Sequence, residues 1–176
     1  MISKQKYIYT WISENIKNLK FPPKMILKER DLAIHYSTSR TTIRQTLQKL
    51  ANEDRIIITP RSKTIVAKIN LKKIKESFLL RECLELTVAS LVLKKIEKKN
   101  IDYLKKNIQK QKKILINYEK NKNKKYIVLD NEFHKYLFEI VGLTAFWDIL
   151  TNSTFDFDRL RHLSASNIKR SRESTK

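Results

Sequence analysis

Two groups of residues in this sequence carry side chains with usable chemistry. The first is Ser37-Thr38-Ser39-Arg40-Thr41-Thr42-Ile43-Arg44-Gln45-Thr46-Leu47-Gln48-Lys49-Leu50. Arg40, Thr41, Arg44, Gln45 and Gln48 share one helical face, and this stretch holds no acid until Glu53. Arginine forks match guanine edges, glutamine pairs with adenine, and threonine serves bases or phosphates when a helix lies in a major groove. The opposite face carries Ile43, Leu47, Leu50 and Ala51, an apolar seam. Ser39 stands ahead of it as an N-cap. Two readings are open here: a recognition helix, or an ordinary amphipathic surface helix with a solvated polar side. The second group is Asp130 and His134, four apart and so on one face of a helix. Such a pair can share a divalent metal at about 2.0–2.2 Å, or stand as a plain i, i+4 charge pair. No nucleophile with a base and an orienting partner is visible, so catalytic residues are none and no enzyme is expected.

The charge balance points the same way as the first group. The chain of 176 residues has a formal net charge of +20, with 41% hydrophobic residues, enough for a packed core. A balance this basic favours polyanionic partners. The first 70 residues carry 14 Lys+Arg against 5 Asp+Glu, the remainder 24 against 13, so the front is the denser. One cysteine, Cys83, excludes an intrachain disulfide framework and cysteine-rich zinc motifs. Its apolar helical surroundings predict a buried structural thiol. Lys4, Lys6 and Glu14 break any apolar leader, and no run approaches the ~20 apolar residues of a membrane span. A cytoplasmic protein without membrane partners is expected. A single glycine, Gly142, argues against phosphate-cradling loops.

The elements that must position these groups follow from the pattern. Residues 3–19 place Tyr7, Ile8, Trp11, Ile12 and Ile16 on one stripe, a first helix ended by Pro22-Pro23. Glu29–Tyr36 predicts a second helix, and Ser37-Thr38 a tight turn into the third, Ser39–Asn52. This is a helix-turn-helix. Arg55–Thr59 and Lys63–Ala67 are β-branched flanks around Pro60-Arg61-Ser62, a β-hairpin. The first 68 residues therefore read as a winged helix, with Arg61 and Lys63 at a tip that either reaches DNA or is simply solvated. A stiff connector is expected over 69–73. The rest, 74–176, reads as one all-α domain: helices over about 74–97, around Ile101–Leu115, over Tyr126–Val141 and over 144–163. Lys120–Lys125 is expected as a loop, Gly142 as a helix C′ residue, and Asn167–Lys176 as a basic polar tail. The fold class is mainly α.

At this point the residues resemble a known family. Glu29-Arg30-Asp31-Leu32-Ala33, Ser39-Arg40-Thr41-Thr42-Ile43-Arg44 and the pair Leu47/Leu50 resemble the signature of GntR-type bacterial transcription regulators. Arg81-Glu82-Cys83-Leu84-Glu85, Asp130-Asn131-Glu132-Phe133-His134 and Asp158-Arg159-Leu160-Arg161 resemble their FadR-like effector domain, the FCD domain. The resemblance implies DNA contacts from Arg30, Ser39, Arg40, Thr41, Thr42 and Arg44. It implies a homodimer on a palindromic operator and a small metabolite, often an organic acid, that alters operator affinity. Arg81 is the implied residue toward such an acid, a guanidinium fork suiting a carboxylate. A structural pair with Glu85 is the other reading of Arg81. Asp130 and His134 are the implied metal ligands, for a divalent ion of the zinc, nickel or manganese class, with two later histidines completing the set.

Two departures stand out. The hairpin tip has Arg61-Ser62 where the family usually has glycine. No pair of later histidines follows His134; His162, in an Arg-Leu-Arg-His segment, is expected on the helix surface and His35 lies in the front half. The ligand set therefore reads as incomplete and the bundle as short, with impaired effector control. A fragment or decayed frame and a regulator that has shed effector control both remain open. The competing function is a non-specific or architectural nucleic-acid-binding protein driven by net charge.

Overall fold

The computed structural model describes residues 3–116 and 122–163, the side chains of 122 and 123 apart. The chain forms two compact units. One runs to Asn70 and takes in the described residues 158–163; the other is Leu71–Phe157. These bounds differ from a connector at 69–73 followed by a single domain. The class is mainly α, a winged helix and a separate helical unit, as expected.

In the first unit α1 (Lys4–Lys17) is capped by Ser3, whose Oγ accepts from the Lys6 N–H at 3.2 Å. Its Ile8, Ile12 and Ile16 are fully buried, and α1 packs on α3 (Arg40–Asn52) through that stripe. Helix α2 (Glu29–His35) comes between them in sequence and packs on α3. Strands β1 (Ile56–Ile58) and β2 (Thr64–Val66) pair antiparallel, Ile57 opposite Ile65. The segment after Pro22-Pro23 adds an edge to this hairpin: Ile26 bridges Ile65, and the Leu27 N–H donates to the Thr64 carbonyl at 2.9 Å.

Arg55 ties these pieces together. Its buried guanidinium sits 2.8 Å from the Glu53 carboxylate and donates to Ser13 Oγ. The Tyr9 hydroxyl donates to the same carboxylate at 2.6 and 2.8 Å. One network therefore joins α1, the end of α3 and the start of the wing.

The second unit comprises α4 (Leu71–Leu93), α5 (Lys98–Ile116), α6 (Lys122–Val141) and α7 (Thr144–Ser153). Its core is Val88, Val92, Phe138, Trp147 and Leu150. The α5–α6 contact is partly polar: Asn107 donates to the Leu129 carbonyl at 3.1 Å and Asn100 to the Tyr136 hydroxyl at 2.9 Å. Gly142 has φ 75° and closes α6 as expected, the Leu143 N–H reaching back to the Phe138 carbonyl.

Four expectations are corrected. Helix α4 begins at Leu71, because Leu71-Lys72-Lys73 are good helix formers with nothing to break the run, and it ends at Leu93 rather than 97. Residues 122–125 belong to α6, not to a loop; 117–121 and the tail 167–176 lie outside the described residues. The helix expected over 144–163 breaks at Thr154. There Thr151, Ser153 and Thr154 turn their hydroxyls onto the carbonyls of Trp147, Ile149 and Thr151, and a second helical stretch covers 155–163. Finally, Cys83 is exposed, on the side of α4 away from the core.

Removing the Arg55 guanidinium leaves Glu53 half-buried without its cation. Arg55→Ala should cost the first unit about 3 kcal/mol in denaturant unfolding, the effect of breaking a buried pair from one side. Tyr9 supplies a pH signature of the same network. Burial, and then its bond to Glu53, push the Tyr9 hydroxyl up to about 12. The protonated form is thus favoured by folding: its contribution is whole below the ordinary tyrosine value of about 10 and is lost as pH rises through about 12. Thermal melts across that window should fall more steeply for the native chain than for Tyr9→Phe.

Candidate nucleic-acid interface

The helix-turn-helix is built locally. Ser37 takes φ 47°, and its N–H and that of Thr38 donate to the carbonyls of Ile34 and Ala33, which closes α2. Ser39 then caps α3, its Oγ accepting from the Thr42 N–H at 3.1 Å. Ile43, Leu47 and Leu50 are buried against the unit's core. That seam turns Arg40, Thr41, Arg44, Gln45 and Gln48 outward, all exposed. Arg30, Ser37, Ser39 and Arg40 line an open depression where α2 meets α3. Of the expected contact residues, Ser39 and Thr42 are engaged with each other: their hydroxyls lie 2.9 Å apart and serve the cap.

Arg44 is not on an acid-free surface. Glu29, from the start of α2, accepts from Arg44 Nε at 3.3 Å and from Nη2 at 3.2 Å, although the arginine side chain is 71% exposed. Nothing within α3 foretells this, because the acid arrives across the turn from another helix. Gln48 is held to Asn52 at 3.1 Å and Lys49 stacks over the Tyr9 ring at 4.4 Å.

The wing tip is a tight turn, with the Ser62 N–H donating to the Thr59 carbonyl at 3.1 Å. Pro60 holds its second place and Arg61 its third, at φ 55°. That is the type II pattern, which normally takes glycine in the third place. Arg61 adopts the left-handed conformation in spite of its Cβ, so the departure from glycine keeps the turn and adds a cation. Arg61 and Lys63 are both exposed.

In the second unit Arg81, Glu85, Asp130 and His134 come together. Arg81 Nε donates to Glu85 Oε1 at 2.6 Å; His134 Nδ1 lies 3.3 Å from the same oxygen, and its Nε2 3.8 Å from Asp130 Oδ1. The imidazole thus stands between two carboxylates. Among the described residues no group of three or more His, Cys, Asp and Glu could hold a metal. Arg81 occupies the carboxylate that would be the third ligand, so these donors do not fit a resident metal ion. His162 is half-buried in the 155–163 stretch.

A reading helix set on a buried seam, a tight turn behind it and a basic hairpin beside it define a winged helix-turn-helix DNA-binding protein. Residues 4–66 match bacterial regulatory proteins of the gntR family, and residues 76–176 match the FCD domain. The chain belongs to the GntR family of transcriptional regulators. It is 26% identical over 161 residues to the HTH-type transcriptional repressor RspR of Escherichia coli K12, covering 92% of this chain and 69% of that one. It is 24% identical over 156 residues to an HTH-type transcriptional regulator in an unstable DNA locus of Streptomyces ambofaciens, covering 89% of this chain and 64% of that one. Among solved structures, E. coli McbR/YncC superposes with a TM-score of 0.73 at 14% identity, over 94% of this chain and 77% of that one. A GntR regulator from Rhodococcus sp. RHA1 gives 0.60 at 18%, over 92% and 76%. These two establish likeness of fold.

If Arg44 reads a base edge, Arg44→Ala costs about 1–3 kcal/mol on the cognate duplex and little on a scrambled one. Equal loss on both would assign it to phosphate alone. Glu29→Gln should raise affinity for the scrambled duplex, because it removes a carboxylate from the contact face.

Proposed function

We propose that this chain is a sequence-specific transcriptional regulator that binds a palindromic operator as a homodimer, one half-site per copy. The observation that carries the reading is the two-sidedness of α3: Ile43, Leu47 and Leu50 buried, Arg40, Thr41, Arg44 and Gln45 exposed. Arg30 and Ser39 flank the groove-facing helix, with Thr42 holding its first turn, and Arg61 and Lys63 reach backbone from the wing. Repression is the proposed sign, by analogy with the relative named a repressor. The site of action is the cytoplasm; none of the described helices is long and apolar enough to cross a membrane.

Residues 74–176 form the effector part, and Arg81 is the residue toward a small organic acid. Effector control is weak in this reading, because Glu85 already holds the Arg81 fork. An incoming carboxylate must displace it. The protein works by binding, without catalysis.

Fluorescence anisotropy on the duplex just upstream of the chain's own gene, beside a scrambled one, tests the main reading. At about 150 mM salt, where weak phosphate binding is suppressed, a preference of several hundredfold supports a regulator. Equal weak binding to both supports the charge-driven architectural reading instead. His134→Ala should leave operator affinity unchanged at unchanged folding. A loss of affinity there would mean that the second unit shapes the reading helix directly.

A further inference from the structure

Helix α5 carries a charge that the rest of its unit does not. Residues 71–157 hold 18 Lys and Arg against 11 Asp and Glu, and α5 alone holds seven lysines against one aspartate. Nearly all of the excess therefore stands on one helix; α4 and α6 each mix four bases with three acids. At 3.6 residues per turn the seven lysines fall within about 160° of the helix circumference. Lys99, Lys106, Lys110 and Lys113 form one stripe, and Lys98, Lys105 and Lys112 the next. Between Lys98 and Lys113 this face otherwise holds only Asp102 and Gln109. All seven lysines are exposed. The buried Asn100 and Asn107, bonded to α6, fix the roll of the helix and turn the lysines to solvent.

Nothing within the chain rewards this arrangement. Lys106 and Lys110 stand four apart and Lys110 and Lys113 three apart, spacings at which like charges destabilise a helix. Lys98 and Lys99 open the helix, the end at which its dipole disfavours cations, and no acid lies in the first turn. Among the described residues one of the seven has an ion pair, Lys99 with Glu97 at 2.8 Å. A polyanion from outside the chain relieves all of these repulsions at once.

We infer that the lysine face of α5 is a second DNA-binding surface, one that holds the phosphates of a duplex without reading its sequence. The inference rests on the DNA-binding class of the chain and on neither the operator nor the homodimer. Two observations select duplex DNA. The winged helix brings that polyanion to every copy of the chain, which raises its effective concentration at a tethered second site. The face also lacks what other polyanions use: a single strand is held by stacking on aromatic rings, and a membrane helix inserts apolar residues, and there are neither between Lys98 and Lys113. From Lys99 to Lys113 the stripe runs about 21 Å at 1.5 Å per residue, the length of about six base pairs at 3.4 Å each.

The salt dependence of binding counts the phosphates that a protein neutralises. It should be measured on the full chain with a scrambled duplex, so that base reading plays no part. Lys106→Gln/Lys110→Gln/Lys113→Gln should lower the slope of log K against log salt by about 2–3 and weaken binding at about 100 mM salt by at least about tenfold. Its melting curve should not change, because the three side chains are exposed and glutamine is a good helix former. The control Lys72→Gln/Lys75→Gln/Lys135→Gln removes the same charge from exposed positions on α4 and α6, and should leave the slope nearly as it was. The scrambled duplex should also protect Lys106, Lys110 and Lys113 of the native chain from acetylation and leave Lys75 reactive. An equal fall in slope for the control overturns the inference, since net charge alone would then account for it. An unchanged slope in the α5 variant, or no protection of its lysines, overturns it as well. Binding to phosphatidylserine vesicles that the α5 variant loses, at an unchanged duplex slope, would make the face a membrane surface instead.

Discussion

The buried Arg55 guanidinium is the interaction on which the DNA-binding unit depends. It joins Ser13 of α1 to Glu53 at the end of α3, from a residue that stands at the start of the wing. Its own N–H bonds the Leu50 carbonyl, and its carbonyl accepts from Ala67. The apolar seams of α1 and α3 are non-directional and would pack at several offsets. A charged group that must be satisfied in the interior admits far fewer. Helices α1 and α3 are therefore tied through the Arg55 side chain, and the wing through its backbone.

A scarcity of glycine imposes the second constraint. Gly142 is the chain's single glycine, yet Leu19, Lys24, Ser37, Asp54 and Arg61 also take positive φ. Left-handed backbone costs a residue with a Cβ roughly 1–2 kcal/mol. At Asp54 the cost accompanies the step from α3 into β1, where the Asp54 and Arg55 N–H groups close the helix on Ala51 and Leu50. At Arg61 it keeps the wing tip tight while placing a guanidinium there. Packing and charge elsewhere offset these turns, which makes the Arg55 network more consequential still.

In the helical unit the same economy appears in reverse. Its inner core is small, and part of the α5–α6 contact is made by Asn100 and Asn107 rather than by apolar residues. Meanwhile α4 spends three leucines on its outer side. At the α4–α6 contact Arg81 holds Glu85, and His134 stands between Glu85 and Asp130. With Glu85 already on the Arg81 fork, an incoming carboxylate would have to compete for that guanidinium.

Much of this was legible in the sequence, for physical reasons that differ by element. Helix α3 was legible, because Ser39 caps it and its apolar period is strict; so was Gly142, because glycine takes that conformation without the cost of a Cβ. The hairpin was legible from β-branched flanks around proline. What tertiary structure alone decided was who meets whom. Glu29 reaches Arg44 from a different helix, so a face without acids in its own helix is not free of acid. Cys83 was expected inside because its neighbours are apolar, but a helix with apolar residues on every side does not say which side the core takes; the position of α6 and α7 chose it. The helix expected over 144–163 broke at Thr154 because serine and threonine hydroxyls competed for backbone carbonyls, a contest that periodicity does not register. Local pattern determines what a segment can become; contacts distant in sequence determine which of its faces is satisfied and which remains available.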